Sequence, residues 1–99
     1  MLHIVNQSHT GRDALSSCLR LAGDGHALLL IEDGVLAATA AAAAASGIAA
    51  ALKRLKVYVL QGDVAARGCA ARMAEGVTLL DYGGFVDLVV EHPSNQSWL

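Results

Sequence analysis

The sequence predicts a single α/β domain, a three-layer flavodoxin-like sandwich around a mostly parallel sheet of about four strands. Three observations point there. Short apolar runs alternate with segments of helical period, the pattern that successive right-handed βαβ crossovers produce. The run at residues 27–31 is continuously apolar, as a strand covered on both faces is. The runs end in turn chemistry: Asn6-Gln7-Ser8-His9-Thr10-Gly11, Glu32-Asp33-Gly34, Gln61-Gly62-Asp63, and Asp81 before Gly83 and Gly84. With 99 residues the chain has room for one domain, residues 1–99, and no second.

Each element has its own reason. Leu2 to Val5 reads as the first strand. Thr10 with Asp13 marks the start of a helix whose Ala14, Leu15, Cys18, Leu19 and Ala22 share one face, with Arg12, Ser16 and Arg20 elsewhere. Gly23-Asp24-Gly25 stops it, and residues 27–31 form the second strand. The alanine-rich stretch that follows is rich in the best helix former but poor in bulk. It reads as a helix broken at Gly47 and resuming over 48–55, with side chains small enough for a neighbouring backbone to approach. KVYVL, Lys56 to Leu60, is a third strand with β-branched and aromatic content. A short helix follows from 64 to about 73, then a fourth strand at 77–80. A last helix carries Phe85, Val86, Leu88 and Val89 and stops at Pro93. The tail, from Ser94 on, has no period.

Composition narrows the function classes. The apolar fraction is 55% and the mean hydropathy +0.46, high for a lone chain of this size. A domain this small buries only roughly two thirds of its unfolded surface, so surplus apolar area predicts a subunit interface. Net charge is −2, and the densest basic cluster is Lys53, Arg54 and Lys56, which argues against direct RNA binding. Residues 34–52 carry no charge, but alanine contributes little to membrane insertion, so no membrane span is expected. The N-terminus has no basic n-region before an apolar core, and two cysteines without CxxC spacing make neither a disulfide framework nor a zinc site; both point to a reducing cytoplasm.

In parallel sheets ligands bind beyond the carboxyl ends of the strands. Three of the four loops there carry acids, which repel phosphate, and neither GxGxxG nor GxxxxGK[ST] is present. No cofactor is expected. His3, His9, His26 and His92 are scattered without metal-ligand spacing. Ser8, His9 and Asp33 offer the residue types of a hydrolase triad without its GxSxG elbow. Cys69 stands between Arg67 and Arg72, cations that lower a thiol pKa, yet its alanine neighbours point to packing. Cys18 shares the apolar helix face, which also points to packing.

The stretches LHIVNQS, IEDGV, KVYVL followed by GDVAARG, LLDYGGFVDL and HPSNQSWL, in that order, resemble the TusB/DsrH family of the DsrE/DsrF/DsrH-like superfamily. The resemblance runs from Leu2 to Leu99 and is weakest over the alanine-rich residues 37–51. It implies an α/β subunit of a heterohexamer with TusC/DsrF-like and TusD/DsrE-like chains. That complex relays persulfide sulfur from a cysteine desulfurase, by way of TusA, to a TusE/DsrC-like acceptor for 2-thiolation of tRNA wobble uridine. In sulfur oxidisers the related complex serves dissimilatory sulfur metabolism. The principal sulfur-accepting cysteine belongs to the TusD/DsrE subunit, which implies a non-catalytic subunit here. DsrH-type members carry a cysteine in the first helix, and Cys18 stands at the matching place as candidate sulfur carrier. A third alternative is an independent flavodoxin-like module binding a small ligand.

Overall fold

The computed structural model describes residues 1–10 and 13–98. Gly11 of the expected first turn, Arg12 of the first helix and Leu99 of the terminal motif lie outside them. Five strands, β1 (Leu2–Val5), β2 (Ala27–Leu30), β3 (Lys56–Leu60), β4 (Thr78–Leu80) and β5 (Asn95–Trp98), form one sheet in the order β4-β3-β2-β1-β5. Every pairing is parallel. The expected α/β class and the first four strands are present; the fifth is new. Its sequence, NQSW, has no apolar alternation because an edge strand with three exposed residues needs none. Backbone pairing with β1, Leu2 to Asn95 through Val5 to Trp98, holds it.

Strand order decides where the helices lie. The chain steps one way from β1 to β4, so right-handed crossovers place the intervening helices on one face. These are α1 (Ala14–Leu21), α2 (Ala43–Ser46), α3 (Ile48–Ala51) and α4 (Gln61–Ala66). The last connection runs back across the sheet to β5 and puts α5 (Tyr82–Glu91) on the opposite face. The two cores follow. Leu15, Cys18, Ile48 and Val64 pack with Val5, Leu28, Leu30, Val57 and Val59 on one side. Leu88 packs with Leu2, Ala27 and Leu29 on the other. β2 is buried at all four positions, which explains its uninterrupted apolar run.

Two expected helices are shorter than the sequence suggests. The alanine-rich segment begins as a 3₁₀ turn, Glu32–Ala38, and only then gives α2 and α3. Thr39 breaks the run by bridging to Met73, and Ser46 Oγ donates back to the Ala37 carbonyl at 2.8 Å. Gly47, at φ 91°, turns the chain between α2 and α3 in the left-handed region, as expected of the break there. The bulk-free residues do admit close packing, since Ala37 and Ala38 are fully buried. The helix expected over 64–73 is divided: α4 ends at Ala66, and Ala70–Arg72 is a 3₁₀ turn. Cys69 therefore lies between two short elements. No helix among the described residues is long and apolar enough to cross a membrane.

Candidate functional site

The loops leaving β1, β2, β3 and β4 converge at the carboxyl edge of the sheet. The β1 loop crosses close to the β2 turn: Ile31 N–H donates to the Val5 carbonyl at 3.0 Å. Glu32 stands at φ 50°, a conformation that costs energy for a residue with a side chain. Its N–H donates to Asp63 Oδ2 at 2.7 Å, which ties the β2 turn to the start of α4. Arg67 closes the same corner, with Nε donating to Asp33 Oδ1 at 2.9 Å and a terminal nitrogen to the Asp63 carbonyl at 3.2 Å. The acids of IEDGV and GDVAARG thus hold a cation and a strained amide in place.

This corner does not assemble a hydrolase triad. Asp33 is paired with Arg67, and Ser8 Oγ meets Thr10 Oγ1 at 2.9 Å. Asn6 Oδ1 and His9 Nδ1 are buried without a hydrogen-bond partner among the described residues. No cluster of three or more metal-ligating side chains occurs among the described residues. A cleft of about 470 Å³ opens where α4 leaves for one face and α5 for the other, lined by Leu60, Gln61, Gly62, Ala65, Asp81 and Tyr82. It is the topological switch point of this sheet. Asp81 caps α5 there, accepting from the Gly84 N–H at 2.7 Å.

Both cysteines are free and buried. Cys18 is fully enclosed in the larger core, and burial pushes its thiol up to about 11 despite the opposing charge of Arg54. At neutral pH such a thiol stays protonated, which makes it a poor nucleophile. Cys69 Sγ lies 3.6 Å from the Val64 carbonyl. Arg54, which sequence reasoning placed only in a basic cluster, caps the carboxyl end of α1: it donates to the Ala22 carbonyl at 2.6 Å and to the Leu19 carbonyl. A cation there complements the helix dipole. Its partners lie more than thirty residues away, so no local pattern announces it. Cys18→Ala is expected to destabilise the fold by about 1 kcal/mol, and Cys18→Ser by about 1 kcal/mol more through a poorly solvated hydroxyl. Denaturant titration reads the order, and a more stable serine variant would contradict it.

At the other end of the sheet, parallel pairing brings two of the scattered histidines together. Trp98 Nε1–H donates to His3 Nδ1 at 3.2 Å, which leaves the His3 proton on Nε2. That nitrogen donates to His26 Nδ1 at 3.0 Å, and the same His26 atom accepts the Gly23 N–H at 3.0 Å. The imidazoles lie 26° from coplanar with centroids 5.2 Å apart. Burial, His26 and the Met1 ammonium lower the His3 pKa. The relay joins β1, the turn that enters β2, and β5, and through Trp98 the tail, which shows no period in the sequence, docks on its own domain.

A parallel five-stranded sheet of this size, with its cysteines enclosed and its loops acidic, defines a small α/β chain of a known architecture. The solved structure of the ychN protein from Escherichia coli superposes with a TM-score of 0.80 over 97% of each chain at 17% identity, which establishes the shared fold. The family model described as DsrH-like protein matches residues 7–95. Protein TusB of Pectobacterium parmentieri is 40% identical over 98 residues, covering 99% of this chain and all of that one. Protein TusB of Escherichia coli strain K12 is 38% identical over the same extent. The chain belongs to the DsrH-like family.

Proposed function

We propose that this chain is the TusB/DsrH-type subunit of a cytoplasmic sulfur-relay complex, assembled with TusC/DsrF-like and TusD/DsrE-like chains. The complex passes persulfide sulfur to a TusE/DsrC-like acceptor, toward 2-thiolation of tRNA wobble uridine. The single observation that carries this reading is the end-to-end similarity to TusB, 40% over 99% of the chain. In it the chain contributes structure rather than sulfur chemistry. A persulfide carrier must present a thiolate to an incoming sulfur, whereas Cys18 is sealed beneath α1 and Cys69 is buried. Cys18 carries sulfur only if α1 lifts from the sheet.

Two measurements test the proposal. Co-expression with the two partner chains is expected to yield one complex in equal ratio; a stable monomer that ignores both would overturn it. Incubating that complex with cysteine, a cysteine desulfurase and the upstream carrier, then weighing each subunit, is expected to place added sulfur on the TusD/DsrE-like chain. A gain of one sulfur on this chain, lost in Cys18→Ala, would make Cys18 a carrier.

A further inference from the structure

The two faces of the sheet are covered unequally. Five strands present a face roughly 20 Å wide, while a helix with its side chains is about 10 Å across. Among the described residues, α5 is the one helix on the face opposite α1 to α4. Leu2 and Leu29 are sealed there, but Ile4, Ile31, Tyr58 and Leu80 are only half-buried. α5 also turns a second apolar row outward. Tyr82, Val86 and Val90, at four-residue spacing, are 74%, 42% and 75% exposed and form one stripe along the helix. The inner residues Phe85, Leu88 and Val89 already cover the sheet and Tyr82 meets Phe85 edge-on with ring centroids 6.0 Å apart, so it is the outward faces of Val86 and Val90 that do nothing for the folded chain alone.

Charge indicates what covers this row. Asp81, Asp87 and Glu91 stand at its margins, all exposed, and residues 73–98 contain no lysine or arginine. An isologous contact with a second copy would set these acids against one another. At its start, Tyr82 and Asp81 form the lip of the switch-point cleft. An aromatic face beside a carboxylate suits the apolar stem and charged head of an arginine or lysine.

We propose that the outer row of α5 is the docking face for a different protein chain, one presenting an apolar surface rimmed by lysine or arginine. The proposal rests on the reading of this chain as a subunit of a heteromeric complex. Asp87→Lys with Glu91→Lys reverses the margin without touching either core. Val86→Ser with Val90→Ser removes the two aliphatic members of the row and leaves Tyr82, which also packs on Phe85. Each pair is co-expressed with the TusC/DsrF-like and TusD/DsrE-like chains, and complex formation is titrated at low and high salt. Circular dichroism checks each isolated fold. Each pair is expected to weaken assembly by about tenfold or more at low salt while melting as the unaltered chain does. The deficit of the lysine pair is expected to shrink at high salt. If the unaltered chain assembles and both pairs assemble equally well, the docking face is wrong and the subunit reading stands. If the unaltered chain captures neither partner, the subunit reading fails and the docking face falls with it. Self-association of the isolated chain, abolished by the serine pair, would replace the different partner with a second copy.

Discussion

Replacing Gly34 by alanine is expected to destabilise the fold by about 3 kcal/mol, the upper part of the range for overpacking a tight contact. A Cβ at this position would sit 2.5 Å from the Val5 carbonyl oxygen and 3.2 Å from its carbon. Both are backbone atoms of β1, which is held on one side by β2 and on the other by β5. Neither can swing aside as a flexible side chain would. The Val5 carbonyl also accepts the Ile31 N–H, so moving it breaks the bond that closes the turn. For a domain of this length, 3 kcal/mol lowers the melting temperature by roughly 12–24 °C. Gly62, with open space around its missing Cβ, supplies the control, and Gly62→Ala is expected to melt within a few degrees of the unaltered chain. Equal melting of the Gly34 and Gly62 variants would show that the β1–β2 crossing yields easily.

That glycine also shows where reading the residues stops. IEDGV reads as a turn from its composition alone, but the need for glycine there comes from a strand thirty residues earlier. β1, β2 and β3 are legible because their aliphatic and β-branched runs must be buried wherever they pair. Helix α1 is legible for the same reason, and Cys18 falls inside its apolar face as the spacing requires. β5 is not legible, because its ladder bonds are made by backbone and NQSW carries no burial pattern. In the alanine-rich segment, helix propensity is correct locally at α2 and α3 but loses at Thr39, where pairing with Met73 takes over. Alanine has too little bulk to hold a long helix against such a contact.

The candidate site divides in the same way. Acidic turns at the strand ends are visible in the sequence, and their chemistry is structural: Asp33 and Asp63 are occupied by Arg67 and the Glu32 amide. Cys18 is visible too, and its enclosure is what its neighbours Leu15 and Leu19 imply. The histidine relay is invisible. His3 and His26 meet only because Leu2 pairs with Ala27, and Trp98 reaches them only through a strand the sequence does not announce.

Breaking that relay is expected to have the second large effect, and a pH signature distinguishes it from lost packing. Trp98→Phe keeps an aromatic ring but removes the donor, leaving His3 Nδ1 buried and unpaired, at a cost of about 1–3 kcal/mol. Trp98→Ala also gives up the ring and is expected to cost more. Removing the tail after Pro93 goes further, because β1 then becomes an open edge facing solvent, and aggregation is expected with the loss of stability. The pH dependence follows from His3. Its folded pKa lies below the ordinary 6.5, so the unfolded chain binds the proton more readily. Its contribution is therefore present in full above pH 6.5 and is lost as pH falls through that value toward the lowered one. A proton on Nδ1 would also face the Trp98 N–H, two donors with no acceptor between them. The melting temperature is thus expected to decline from pH 7.5 to pH 5, and His3→Phe, which fills the same buried position without titrating, is expected to flatten that decline. Parallel pH profiles for the two proteins would remove His3 from the account and leave Trp98 as a packing residue alone.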